Sequence, residues 1–196
     1  MLEQVLKTID GRKDQSLAAL KDPMATDKLL DRGERLLAES KKSRAPHPAE
    51  INELLEIATT LGRLLPNTND GRTIRFLREL RRADKARSPE TEAALARIGP
   101  ESYAKEITPQ NIGYTDWHTA SAYAIGAAEL AKIENVNLKL QAARNLTAYV
   151  DGMKNGVKPA YQAEMAKAMP DLIRAIAAFK PDNLDEILRS RLANDE

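Results

Sequence analysis

GYTDWHTASAYAIGAAELA, residues 113–131, holds the chain's only tryptophan, Trp117, beside one of its two histidines, His118. Its apolar residues follow three- and four-residue steps rather than alternating, which is the period of a helix. With Thr115 or Asp116 as cap, Trp117, Ala120, Ala124, Ala127 and Ala131 fall on one seam, flanked by Tyr123 and Leu130. A seam of alanines lets a neighbouring helix approach to the short end of interaxial distances, about 8 Å. This stretch therefore predicts a tight helix–helix contact headed by the Trp117 indole. His118 stands about 100° around the wheel from Trp117 and so off the seam. With Trp117 and Tyr123 it marks a possible pocket, to which another helix would have to contribute the remaining groups.

The helical period extends in both directions. Leu2, Val5, Leu6 and Ile9, then Leu17 and Leu20, suggest an opening helix bent near Gly11. Leu29, Leu30, Leu36 and Leu37 form a stripe with Thr26 as its cap, and Ile51, Leu54, Leu55, Ala58, Leu61 and Leu65 form the next, entered through Pro48. A helix is predicted over 72–87, and a short one opens on Ser88-Pro89-Glu90 and closes at Gly99-Pro100. Residues 101–114 are the least regular and offer a hinge or boundary. Helices follow over 115–134, 137–154 and 159–179, the last interrupted near Pro170, which projects to the solvent side. Leu184, Ile187, Leu188 and Leu192 suggest a closing amphipathic helix.

This pattern predicts an all-α fold, a bundle of about eight to ten helices. Phe76 is the sole aromatic before residue 100, whereas the later part holds the other seven, many alanines and Met153, Met165 and Met169. That contrast suggests a Leu-rich subdomain, 1–100, and an Ala- and aromatic-rich one, 101–196; a single compact domain fits equally well. The Leu-Leu pairs at 29/30, 36/37, 54/55 and 64/65 have no fixed period, which argues against a solenoid.

Several chemistries are disfavoured by composition. There is no cysteine, so no disulfide scaffold, thiolate metal site or cysteine nucleophile. His47 and His118 stand in no metal-binding motif, NTNDGRT at 67–73 reads as a turn rather than a phosphate loop, and no GxSxG elbow is present. No cofactor or metal is expected. Residues 102–117 set Ala104, Ile107, Ile112 and Trp117 in the manner of a helix-turn-helix. The turn glycine is missing, however, the spacing is short, Gly113 interrupts the second helix, and Asp116 stands where an arginine would serve. No apolar run approaches the ~18 residues needed to span a bilayer, and the N-terminus lacks a secretory core, so a cytoplasmic, membrane-free protein is expected.

The most distinctive polar feature is DGRTIRFLRELRRADKAR, residues 70–87. On a wheel Phe76, Leu77, Leu80 and Ala83 share one arc, while Arg72, Arg75, Arg78, Arg81, Arg82 and Lys85 fill most of the other, interrupted by Glu79. Residues 41–87 carry 11 Lys and Arg against 6 Asp and Glu, although the whole chain is only +1. Such a face suits a protein partner or nucleic-acid phosphates; the alternative is a solvated face tied to neighbouring carboxylates. The expected function is non-catalytic binding of another macromolecule, first a protein in an adaptor, regulatory or effector role. Homo-oligomerisation also fits. Nucleic-acid binding through the arginine face is the alternative, and an enzyme built on His118 or on tyrosines and carboxylates the third reading.

Overall fold

The computed structural model describes residues 23–42, 47–83 and 88–179. The opening stripe from Leu2 to Leu20, the closing one from Leu184 to Leu192, and Lys85 lie outside them. Among the described residues the fold is all-α: ten α-helices, one 3₁₀ turn and no strand. In chain order they are α1 (Pro23–Lys42), α2 (Pro48–Leu64), α3 (Gly71–Ala83), α4 (Pro89–Ile98), α5 (Pro100–Glu106), α6 (Pro109–Ile112), α7 (Trp117–Leu130), α8 (Val136–Gly156), α9 (Gln162–Ala166) and α10 (Met169–Ala178). No described helix is long and apolar enough to cross a membrane.

Helix starts follow local chemistry. Ser88 accepts from the Thr91 amide before Pro89, and Asp116 accepts from the His118 amide at 3.1 Å and the Thr119 hydroxyl at 2.5 Å. His47 caps α2 in an unusual capping box: its Nδ1 accepts from the Ala49 amide while Glu50 accepts from the His47 amide. Thr26, expected as a cap, lies inside α1, which begins at Pro23. The helix expected over 159–179 is broken as Pro170 requires. A 3₁₀ turn at Pro159–Tyr161 leads into α9, and α10 restarts with Pro170 in its first turn, where the missing N–H costs nothing.

Two helices organise the stack. α1 lies on α2 and α3, both of which lie on α4; α4 packs most extensively on α7, and α7 on α10, α8 and the short α5, α6 and α9. α4 is buried at every position from Thr91 to Ala96 and again at Ile98. α7 is buried nearly all round: not only Ala120, Ala124 and Ala127 but also Ala122, Tyr123 and Leu130 are at most 2 % exposed. The expected alanine seam is thus one side of a helix enclosed on several sides, as an all-round apolar helix must be. A single buried cluster runs from Leu30 to Ile176 and includes Ile98, Tyr103 and Ile107. The irregular segment 101–114 is built into it through Tyr103, Ala104, Ile107 and Ile112, each at most 4 % exposed.

Missing side chains make these approaches possible. The Gly62 Cα faces α4 so closely that a Cβ would stand 2.9 Å from the Ala94 Cα. At Gly126 of α7 a Cβ would fall on the Tyr103 hydroxyl and 3.0 Å from the Glu92 carbonyl oxygen. Gly126→Ala should therefore cost about 1–3 kcal/mol through overpacking. Urea unfolding checks this, and Tyr103→Phe in the same chain should restore part of the loss. An additive double mutant would show that the notch does not hold the hydroxyl.

Candidate functional site

The six cations predicted to share one face have three different fates. Arg72 donates to Glu34 and Asp31 across to α1, with Nη2 at 2.6 Å from each carboxylate. Arg78 and Arg81 turn toward α5, where the two oxygens of Glu106 accept from them separately: Arg78 at 2.5 Å and Arg81 at 2.6 Å. Arg75 and Arg82 are exposed and make no ion pair with a described residue; Glu79 lies between them and accepts from Lys41 at 2.7 Å. Lys85 falls outside the described residues.

Arg81 is the hub of a buried polar network. Its side chain is 14 % exposed, and its Nη1 lies 3.4 Å from Oε2 of Glu92, which is fully buried. Its guanidinium carbon stands 5.9 Å from the Tyr123 ring centroid, a cation–π distance. Tyr103, 1 % exposed, lies beside Tyr123 with ring centroids 6.0 Å apart and donates to the Tyr123 carbonyl. Burial pushes the Tyr103 hydroxyl well above the ordinary tyrosine range, and the Glu92 carboxylate adds to the shift. For Arg81 burial acts against the charge, but Glu92, Tyr123 and Glu106 outweigh it and its pKa is raised. Two arginines and two glutamates balance in charge, so the network is a structural pin between α3, α4, α5 and α7.

The residues around Trp117 do not converge on one pocket. Trp117 is half-buried against the core, and His118 is exposed. Their rings, placed about 100° apart by the wheel, stack with centroids 3.7 Å apart, because both stand in the first turn of α7. Lys167 Nζ lies 5.8 Å from the indole centroid. Tyr123 is two turns onward, in the buried network.

Two surface features lie outside the predicted set. The turn between α2 and α3 sets Asn67 (φ 58°) and Asn69 (φ 52°) in the left-handed region, which asparagine tolerates better than most residues. Their amides donate to the carbonyls of Arg97 and Ile98 at 2.8 and 2.9 Å, satisfying acceptors that the end of α4 leaves unpaired. This turn forms one wall of a cleft of about 700 Å³ whose other walls are the α4–α5 junction and the α7–α8 turn. In it Glu129 accepts from Arg97 and Lys132, both at 2.8 Å. On the face of α8 opposite Leu138, which lines the cleft, Val136 and Leu140 stand one turn apart, 64 % and 48 % exposed. The turn itself was legible in NTNDG; that its backbone would be recruited by the end of α4 was not. Val136 and Leu140 depart from the buried arc of α8 and were the available signal for this exposed apolar pair.

No family model, curated protein or solved structure matches the chain.

Two outcomes test these electrostatics. Glu106→Ala should cost about 3 kcal/mol, because it strips Arg81 of its closest carboxylate, whereas Arg78→Ala, at a more exposed site, should cost less than about 1 kcal/mol; chemical denaturation separates them. Burial pushes Glu129 up, but bonds from Arg97 and Lys132 outweigh it and hold it below the ordinary 4.5. A depressed carboxylate stabilises the fold above pH 4.5 and loses that contribution as pH falls through its folded value. Glu129→Gln should thus be less stable than wild type near neutrality and approach it in acid; parallel curves would show the contact contributes nothing.

Proposed function

We propose that this chain works by binding another protein. The observation that carries this reading is the aliphatic pair Val136 and Leu140, exposed one helical turn apart on the outer face of α8. Isolated exposed aliphatics are ordinary, but a pair aligned on one exposed helix face is the kind of patch from which an interface obtains an apolar centre. The distribution of cations supports the same preference. Arg72, Arg78 and Arg81 are tied to carboxylates of neighbouring elements, which reduces what the arginine helix offers to phosphates.

A second reading keeps nucleic acid as the ligand, with Arg75 and Arg82, seven residues apart on one face of α3, meeting the backbone. Two contacts give a log–log salt slope near −2, at about −0.9 per phosphate, rather than the −5 of a six-cation face.

Val136→Asp with Leu140→Asp is the direct test. Partner capture by the full chain from its native cell, or self-association followed by light scattering, should fall more than about tenfold. Stability should stay within about 0.5 kcal/mol, because both side chains are exposed. Wild-type chain that stays monomeric and recovers no specific partner would refute the reading. Steep, salt-dependent binding to DNA or RNA, abolished by Arg75→Glu with Arg82→Glu, would favour the second.

A further inference from the structure

Resting on the protein-binding reading, we infer that the cleft between the 66–70 turn, the α4–α5 junction and the α7–α8 turn takes an extended segment of the partner that carries basic side chains flanked by apolar ones. Three observations point to this occupant.

The first is hydrogen-bonding capacity. The main-chain amides of Asn67 and Asn69 are committed to Arg97 and Ile98, which anchors both residues, while neither side-chain amide bonds to a described residue. Each side chain offers one carbonyl and one NH₂, the complement of one peptide unit. Two such groups, two residues apart on an anchored turn, suit the main chain of a strand-like peptide, whose like-facing units also recur every second residue. The anchoring means little ordering cost remains at binding.

The second is charge. Arg97 and Lys132 share Glu129 within the cleft, whereas Glu101 and Glu134 make no ion pair with a described residue. Those five groups sum to one net negative charge, and the two unpaired ones are both acidic. A basic side chain entering between them meets complementary potential, while an acidic one meets repulsion.

The third is the apolar lining. Among the polar groups of the cleft stand Pro66 and Pro100 on one side and Ile133 and Leu138 on the other. A peptide seated on the asparagines and running toward α8 sets its next apolar side chains on Ile133 and Leu138.

The test uses the full chain and three labelled, terminally blocked ten-residue peptides that share leucines and differ only in charge, with lysine and arginine, glutamine, or glutamate. Fluorescence anisotropy should show the basic peptide bound in the micromolar range and about tenfold more tightly than the acidic one. Asn67→Gly with Asn69→Gly removes both amides and keeps a backbone that glycine adopts freely. It should weaken the basic peptide about tenfold and leave the thermal midpoint nearly unchanged. Glu101→Lys with Glu134→Lys should reverse the charge preference. Equal binding of all three peptides would overturn the inference. So would loss on charge reversal alone, with the glycine variant binding as wild type, since that is bulk electrostatics. A partner captured equally by wild type and the glycine variant would overturn the cleft and leave the protein-binding reading standing. Failure of capture by wild type would remove that reading as well. A dimer dissolved by the glycine variant would identify a second copy, not a basic segment, as the occupant.

Discussion

The fold depends on how closely α4 and α7 approach each other. Neither helix has a solvent face of consequence, and their contact is set where Gly126 leaves room for the Tyr103 hydroxyl beside the Glu92 carbonyl. A close approach of two backbones is productive only if the polar groups it encloses are satisfied. Glu92 is such a group, and its charge requires Arg81; Arg81 in turn reaches Glu106 on α5, which brings Arg78 with it. One steric allowance thus commits four helices to a single arrangement. The aromatic rings of Tyr103 and Tyr123 fill the space that the charged groups leave.

This commitment explains the behaviour of the arginine helix. Amphipathicity alone divides α3 into an apolar arc and a basic arc, and the apolar arc of Phe76, Leu77 and Leu80 is indeed buried. The basic arc is not uniform, because α3 lies in an angle between α1 and α5, and each neighbour brings carboxylates to its side. Arg72 is taken by α1 and Arg78 and Arg81 by α5; the middle of the arc, at Arg75 and Arg82, faces outward. A wheel reports direction around one axis and carries no information on what stands in that direction.

The same boundary separates what was legible in the sequence from what was not. Helix starts were readable where the capping chemistry is local: Ser88-Pro89, Pro48 and Asp116 all act within a few residues. The break before α10 was readable because proline acts on its own turn. Thr26 misled because a capping residue type does not by itself end the helix upstream. Glu92 stands in the first turn of α4, and nothing local distinguishes it from Glu90, which is exposed. Its burial follows from packing on several sides of α4, for which the small residues Ala93, Ala94 and Ala96 were the available hint. Wheel angles set Trp117 and His118 about 100° apart, because they ignore how far two large rings in one turn can lean toward each other.

The left-handed turn has a consequence for how this chain can drift in sequence. Positions 67 and 69 are held at positive φ by the amides they lend to the end of α4, so the residues admissible there are few: asparagine, glycine, aspartate. That restriction acts on every descendant of the chain, whatever its cleft binds. Glu101 and Glu134 are under no comparable backbone restraint. Persistence of asparagine at the turn would follow from geometry alone, whereas persistence of acid at 101 and 134 would be the mark of a ligand.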